Sequence, residues 1–226
     1  MKRNNKLNKA NAYRLSQEVL RNKALLKGVN LIAPETIFLS KDTSFGKNVT
    51  VEPYVVFGPK VKIGDNSYIK SFSHLEGTNI EKNVIVGPYA RLREGTVLKE
   101  NTKIGNFVEV KNTTLASKAK ANHLTYIGDA KVGAHTNIGA GTIFCNYDGK
   151  NKHLSVVGDN VFIGSNASLI APLKIGDASI VAAGSVVNRD VPSESLAIAR
   201  PIQENKLGLG KKIMLKLQKV ADRMRK

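Results

Sequence analysis

Apolar residues recur at every sixth position along most of this chain. These anchor residues fall into five runs, each stepping by six: Leu39 to Leu75, Ile80 to Val110, Leu115 to Ile127, Val132 to Phe144, and Val157 to Val187. A fixed short period is typical of a solenoid, and a period of six predicts a parallel β-helix. We therefore predict an all-β chain whose β-helix covers residues 33–192.

Each hexad carries a second pattern around its anchor. Glycine often follows the anchor directly, as at Gly46, Gly64 and Gly105. We interpret these glycines as accepting the backbone of a tight corner. Three hexads make one triangular coil, so the pattern predicts eight or nine coils, with neighbouring coils about 4.8 Å apart. Phe144 and Val157 are too far apart for one hexad, which predicts a loop at residues 145–156 that leaves the prism.

The two ends of the chain lack the hexad pattern. We expect residues 1–32 to form a disordered start, at 1–10, and a helix that caps the first coil. We predict that residues 193–226 form a tail with a basic amphipathic helix. Such a helix fits a membrane surface or a nucleic acid, but a capping helix with a solvated basic face is the interpretation that we favour.

Composition narrows the possible functions. The net charge is +17, but the basic residues are spread over the whole chain and only 6% of residues are aromatic, so we do not expect a nucleic-acid partner. No apolar run approaches the roughly 18 residues of a membrane span. The first residues show no secretory signal, and Cys145 is the only cysteine, which together predict a cytoplasmic protein. The four histidines lack the close spacing of zinc ligands, so we expect no metal.

Three residues have the chemistry of a site. Arg93 and Lys111 are 18 residues apart, so they should stack on neighbouring coils, where they suit a phosphate group or simply a solvated surface. His123 should lie above Asn106, three residues before Tyr126. A lone histidine in this position suits either a general base or a structural role. The spacing alone leaves both alternatives open.

Five longer strings carry a family resemblance. They are residues 87–93, 105–111, 121–129, 137–142 and 145–152. Together they closely resemble the C-terminal acetyltransferase domain of the GlmU family, the bifunctional N-acetylglucosamine-1-phosphate uridylyltransferase and glucosamine-1-phosphate N-acetyltransferase. The resemblance implies a left-handed β-helix, a homotrimer, and transfer of an acetyl group from acetyl-CoA to glucosamine-1-phosphate on the way to UDP-N-acetylglucosamine, a cell-wall precursor.

The resemblance also implies roles for individual residues. His123 matches the general base. The residues that match the sugar-phosphate site are Arg93, Lys111, Tyr126, Asn137 and Lys152, the last of these in a site shared with a neighbouring subunit. The residues that match the acetyl-CoA site are Ala140, Asn146, Tyr147, Ser165, Ala183 and Arg200. A main-chain amide near Ala140 would face the thioester oxygen.

The family's uridylyltransferase domain has no counterpart in this sequence, so we expect no uridylyl transfer from this chain. Two other functions remain open at this stage. One is a hexapeptide-repeat acyltransferase that acts on a different amino sugar. The other is a scaffold solenoid that keeps the surface of the family without catalysing a reaction.

Overall fold

The structure, a computed structural model, describes residues 2–225 and their side chains from residue 5 onward. It is a left-handed parallel β-helix of about nine coils with a helix at each end. The helices are α1 (Lys2–Leu26) and α2 (Leu209–Met224), and a short 3-10 turn spans Pro34–Thr36. The strands are β1 (Asn30–Leu31), β2 (Ser44–Phe45), β3 (Thr50–Val51), β4 (Val56–Phe57), β5 (Lys62–Ile63), β6 (Tyr68–Ile69), β7 (His74–Leu75), β8 (Thr78–Ile80), β9 (Ile85–Val86), β10 (Arg91–Leu92), β11 (Thr96–Leu98), β12 (Lys103–Asn106), β13 (Glu109–Leu115), β14 (Lys120–His123), β15 (Tyr126–Val132), β16 (Asn137–Ile138), β17 (Ile143–Cys145), β18 (Ser155–Val157), β19 (Phe162–Ile163), β20 (Ser168–Ile170), β21 (Leu173–Ile175), β22 (Ile180–Val181), β23 (Val186–Val187) and β24 (Leu196–Ala197).

The strands form three faces of a prism. The first face is a ten-stranded parallel sheet in the order β1-β3-β6-β9-β12-β14-β16-β19-β22-β24. The second face begins at β4, β7 and β10 and continues through β17, β20 and β23, and the third face includes β2, β5, β8, β11, β18 and β21. The long strands β13 and β15 run through both the second and the third face, which joins these two faces into one sheet. We call the edge after the first face the first corner, the edge after the second face the second corner, and the edge after the third face the third corner.

The anchor residues point inward and form one continuous core. Leu92, Ile104, Val110 and Ile127 are completely buried, for example, while the residue before each anchor is at least partly exposed. Strict alternation of this kind is what a strand with one face on a core requires. The predicted β-helix is therefore confirmed, and so is its hexad register.

The glycines after the anchors have a different role from the one that we predicted. The residue with the left-handed backbone of the corner is usually the third after the anchor, as at Asn48 (φ 54°) and Asn66 (φ 56°), whereas Gly46 and Gly64 keep negative φ. A Cβ on Gly64 would lie 2.6 Å from the backbone carbon of Glu81 on the next coil. These positions need glycine because consecutive coils approach too closely for a side chain, and not because of their backbone angles.

All of the irregular steps in the hexad pattern fall at the second corner. The three runs that restart one residue early do so after Leu75, Val110 and Ile127, each of which is an anchor of the second face. The loop that leaves the prism also begins there, between β17 and β18. The second corner is thus the edge at which the regular architecture is modified.

Helix α1 caps the first coil, as predicted. The Gln17 amide donates to the Leu39 carbonyl at 2.9 Å and accepts from the Leu39 amide at 2.8 Å, and Ala24 is buried against the core. The helix begins at Lys2, so residues 2–10 are helical where we predicted a disordered start at 1–10, of which Met1 lies outside the described residues. No proline or glycine precedes Gly28, so no residue in this segment interrupts the helix between Lys2 and Leu26.

Helix α2 does not cap the last coil, contrary to the interpretation that we favoured. From Leu209 to Met224 it has no buried residue. Its apolar side chains, Ile213 and Leu217 among them, are exposed. The prediction of an amphipathic helix is correct, but the surface that would cover its apolar side is absent from the described part of the chain.

Candidate active site

Three cationic side chains meet at the second corner. Leu92 pairs with Val110 across neighbouring coils, so Arg93 lies against Lys111, which confirms the predicted stacking. Lys152 comes back from the loop to the same place, held by a bridge to Tyr147. The pKa of Lys111 is lowered, chiefly by the neighbouring Lys152 amine and then by burial, with a smaller contribution from the charge of Arg93. Such a cluster favours an anion that relieves the repulsion.

Two carboxylates partly balance this cation cluster. Glu109 accepts a hydrogen bond from Arg93 at 2.8 Å, and Asp129 lies 3.7 Å from the Lys111 ammonium. Asp129 is largely buried, and its two oxygens accept from the side-chain amides of Asn112, at 2.7 Å, and Asn146. Burial alone would raise the pKa of Asp129. The two hydrogen bonds and the charges of Lys111 and Lys152 outweigh that effect and lower it. Asp129 therefore fixes Asn146 and keeps a negative charge beside Lys111.

Tyr126 lies on the second face beside this cluster. A Cβ on Gly128 would overlap both the Tyr126 hydroxyl and the Asn146 side chain. Gly128 is also the partner of Lys111 on the neighbouring coil. The missing side chain at position 128 thus gives Tyr126 and Asn146 the room to lie next to Lys111.

His123 lies at the other edge of the second face, at the first corner. It pairs with Asn106 on the neighbouring coil, as predicted, and its Nδ1 lies 2.9 Å from the Asn106 side-chain oxygen. Because that oxygen only accepts, Nδ1 carries the proton and Nε2 keeps its lone pair. The side chain is exposed. His123 is therefore held in the tautomer that a general base needs.

Ala140, Ser165 and Ala183 line the first corner beyond His123. Each is two residues after an anchor, and the anchors pair in register from Ala121 through Ile138 and Ile163 to Val181. None of the described residues accepts a hydrogen bond from the Ala140 amide. The Ala199 carbonyl accepts from the Val186 amide at 3.0 Å, which keeps Arg200 beside this corner at the end of the prism.

The first corner changes character along the prism. In its first half, stacked aromatic rings cover it, with ring centres 4.9–5.3 Å apart. These rings belong to Tyr54, Phe72, Tyr89 and Phe107. In the second half the same corner position is taken by Gly141, Asn166 and Gly184. Because the bulky side chains end there, the backbone beside Ala140, Ser165 and Ala183 is open to a ligand.

One chain does not bring all of the predicted residues together. Asn146 and Tyr147 lie at the second corner, across the second face from Ala140. Asn137 lies on the first face, where it pairs with Lys120 and Phe162, and so it is separate from the cation cluster. The predicted sugar-phosphate residues Arg93, Lys111, Tyr126 and Lys152 do meet, and they meet within one chain. The sharing of this site with a neighbouring subunit, which the resemblance implied for Lys152, stays a prediction.

The loop between β17 and β18 is tied together around Asp148. Its carboxylate accepts from the backbone amides of Lys150 and Asn151 at 2.7 and 2.6 Å and from His153 Nε2 at 2.7 Å. These hydrogen bonds, with that of Asn151 the largest cause, hold the pKa of Asp148 far below its usual value. The Tyr147 hydroxyl donates to the Gly149 carbonyl at 2.6 Å. Hydrogen bonds within the loop therefore hold it in the shape that presents Lys152.

Asp129, Glu109 and Gly128 are the site residues that sequence reasoning missed. Asp129 lies 17 residues after Asn112 and 17 before Asn146, a spacing that already places the three on neighbouring coils. Sequence alone did not show that the Asp129 carboxylate is buried between them. The steric need at Gly128 depends on where the Tyr126 ring points, which no spacing rule gives.

Comparison with known proteins identifies the relatives of the chain. The family model described as bacterial transferase hexapeptide (six repeats) matches residues 42–77, 77–112 and 155–189. The bifunctional protein GlmU of Zymomonas mobilis is 50% identical over 216 residues, which are 96% of this chain and 48% of that protein. GlmU of Sphingopyxis alaskensis is 56% identical over 192 residues, 85% of this chain and 43% of that protein.

The chain thus spans about half the length of the curated relatives that it matches. Among solved structures, LpxA from Acinetobacter baumannii has a TM-score of 0.62 at 20% identity, over 74% of this chain and 70% of that one, which shows the fold alone. The match to the GlmU proteins extends over nearly the whole chain. The chain belongs to the GlmU family and corresponds to the hexapeptide-repeat part of those bifunctional proteins.

Proposed function

We propose that the chain transfers the acetyl group of acetyl-CoA to the amine of glucosamine-1-phosphate, forming N-acetylglucosamine-1-phosphate and free CoA. The observation that carries this proposal is the pairing of a cation cluster with a tautomer-fixed histidine at the two edges of one face. Glucosamine-1-phosphate has a phosphate and an amine on neighbouring carbons, and this face offers cations for the first and a base for the second.

His123 acts as the general base. The amine must lose a proton as its nitrogen forms the new amide bond, and Nε2 of His123 has the free lone pair to accept that proton. Asn106 keeps the second ring nitrogen protonated, so the imidazole cannot turn its N–H toward the substrate without losing that hydrogen bond.

The second corner binds the phosphate. Arg93 offers a forked guanidinium and Lys111 and Lys152 offer point charges, so each contact is a charge-assisted hydrogen bond worth about 1.5–3 kcal/mol. The Tyr126 hydroxyl lies next to Gly128 in the same region. This geometry fixes one end of the sugar and leaves the amine to be positioned toward His123.

The first corner receives acetyl-CoA. This co-substrate supplies the acetyl thioester, and the residues that would hold it are Ala140, Ser165, Ala183 and Arg200. The small side chains leave backbone exposed, and the free Ala140 amide is a donor for the thioester oxygen. Arg200 is a cation for the phosphates of CoA.

The remaining acetyl-CoA residues suggest that more than one chain is needed. Asn146 and Tyr147 lie at the second corner of the same prism, across a full face from Ala140. Two neighbouring copies can bring a first corner and a second corner together, and a closed ring of three prisms does so three times. We therefore infer that the working form is the homotrimer, in which the cation cluster with Lys152 lies in a site shared with a neighbouring chain.

A thiol-release assay tests the reaction. Acetyl-CoA and glucosamine-1-phosphate are mixed with the wild type, with His123→Asn and, as a matched control, with His135→Asn, since His135 is exposed at the third corner. We expect rapid thiol release that falls by about a hundredfold or more in His123→Asn and stays within about twofold in His135→Asn. If the wild type is folded and binds CoA but releases no thiol, the non-catalytic scaffold solenoid would be the remaining interpretation.

The acceptor is tested through the phosphate. Arg93→Ala should raise the KM for glucosamine-1-phosphate by about tenfold or more, while Arg91→Ala, which removes an equal charge two residues earlier, should have little effect. Glucosamine without its phosphate should be a poor acceptor for the wild type. Equal rates with and without the phosphate would favour a different amino sugar as the substrate.

A further inference from the structure

Helix α2 presents an apolar strip to solvent. At about 100° per residue, Leu209, Ile213, Leu217, Val220 and Met224 fall within an arc of about 80°. All five side chains are exposed, and in the described helix no residue is buried. The prism therefore leaves this strip uncovered.

Basic side chains flank the strip. Lys212, Lys216, Lys219 and Arg223 lie along one side of it at the same helical spacing. Seven of the eight charged residues from 211 to 226 are basic. The exception is Asp222, whose carboxylate accepts a hydrogen bond from Gln218 at 2.9 Å. The helix thus combines an apolar strip with a positive flank.

We propose that α2 binds in the plane of a lipid bilayer that carries anionic head groups. Such a surface buries the apolar strip and pairs with the basic flank at the same time. Helix α2 has 16 residues, six of which are charged, so it would lie in the plane of the surface. None of the described helices could span a membrane. Residues 198–206 have neither helix nor strand, which separates α2 from the last coil.

Two other occupants fit less well. A second copy of this chain offers no excess of negative charge to pair with the basic flank, since the chain is strongly positive even without α2. A nucleic acid matches the charge but leaves the five apolar side chains in water, since α2 has no aromatic residue that stacks on bases. Of these three occupants, an anionic bilayer is the one that satisfies both halves of the helix.

Vesicle co-sedimentation of the full chain tests the proposal. Vesicles of phosphatidylcholine containing phosphatidylglycerol are compared with vesicles of phosphatidylcholine alone. The decisive pair is Leu217→Gln and Leu215→Gln: the two leucines are 57% and 55% exposed, but only Leu217 belongs to the strip. We expect Leu217→Gln to weaken partitioning by about tenfold and Leu215→Gln to change it by less than about twofold. Circular dichroism checks that both variants keep the helix.

The basic flank has its own matched pair. Replacing Lys212, Lys216 and Lys219 by glutamine should weaken binding by about tenfold or more, whereas the same change at Lys6, Lys9 and Lys23 of α1 should not. Equal effects of the two leucine variants, or no preference of the wild type for the anionic vesicles, would overturn the proposal. So would tight binding to a short RNA duplex that needs the lysines but not Leu217, or a fall in molecular mass from trimer to monomer after deletion of α2. Acetyl transfer is not a readout here, so the outcome is independent of the proposed function.

Discussion

The first and third corners of the prism have the same hexad register but treat their backbone amides differently. At the third corner, on three of the coils, an aspartate two residues after the anchor accepts from a backbone amide of the previous coil. Asp65 accepts from Lys47 at 2.8 Å, Asp159 from Ala134 at 2.6 Å, and Asp177 from Asp159 at 2.8 Å. At the first corner, Ala140, Ser165 and Ala183 occupy that position, and within the described chain the Ala140 amide has no acceptor.

If the proposed function is correct, this difference teaches that one residue in each of these hexads decides whether a corner is capped or open to a ligand. An aspartate satisfies the amide and closes the edge of the prism. A small residue leaves the amide available to a substrate oxygen. The backbone that surrounds the two kinds of residue is the same, so function is added without changing the fold.

The second corner shows a third use of the same position. Asp129 is also two residues after its anchor, but it is buried and accepts from the side chains of Asn112 and Asn146 instead of from a backbone amide. An aspartate in this position therefore organises side chains at one corner and caps the backbone at another.

The largest effect should come from converting the first corner into the third. In Ser165→Asp, the new carboxylate would accept from the Ala140 amide as Asp65 accepts from Lys47. Loss of one donor to a developing oxyanion costs about a hundredfold to a thousandfold in kcat. We expect a loss of that size in the thiol-release assay, with the chain still folded by circular dichroism.

The matched control is Ser117→Asp, which makes the same change two residues after an anchor at the third corner. Its acetyl transfer should stay within about twofold of the wild type. If Ser165→Asp keeps full activity, the Ala140 amide has no part in the reaction, and the contrast between the corners is purely structural.

The next effect concerns Asp129. Asp129→Asn should lower the free energy of unfolding by about 2 kcal/mol, because it weakens two largely buried hydrogen bonds to a charged group and removes the partner of Lys111. Chemical denaturation measures this loss. A change below about 0.5 kcal/mol would show that Asp129 does not hold the second corner together.

A smaller effect is expected at the third corner. Asp177→Ala removes one exposed cap from the Asp159 amide, so it should cost about 1 kcal/mol or less, measured in the same way. Acetyl transfer should be unchanged, since Asp177 lies away from the first and second corners. If this variant lost activity, the third corner would be part of the active site, and the functional difference between the first and third corners would not hold.

The smallest effect is a dependence on pH. The pKa of Asp129 is lower in the folded chain than its usual 3.8. Its contribution to stability is therefore fully present above about 3.8 and is lost as the pH falls through the folded value. The difference in unfolding free energy between the wild type and Asp129→Asn should shrink below pH 4. A constant difference would mean that the charge of Asp129 contributes nothing.

The repeating architecture was predictable because every hexad has the same pattern, with one apolar anchor that points inward. Anchors such as Ile104 and Val110 fix which side chains point inward, and counting 17 or 18 residues then places Arg93 on Lys111 and His123 on Asn106. The gap after Phe144 predicted the loop for the same reason, since the extra residues have no place in the prism.

What the sequence did not reveal depends on side-chain direction and on surfaces. The aspartates of the third corner and Asp129 have the same position in their hexads, so spacing cannot tell a backbone cap from a side-chain anchor. The position of Lys152 depends on hydrogen bonds inside the loop, which follow no periodic pattern in the sequence. The exposed side of α2 looks the same in sequence whether or not the prism covers it.

The most direct test of the account is hydrogen exchange with and without acetyl-CoA. The account predicts that the cofactor slows exchange in the segments around Ala140, Ser165 and Ala183 and leaves the segments around Ala134 and Asp159 unchanged. Protection at the third corner, or bound acetyl-CoA without protection at the first, would contradict the claim that the first corner is built to receive it.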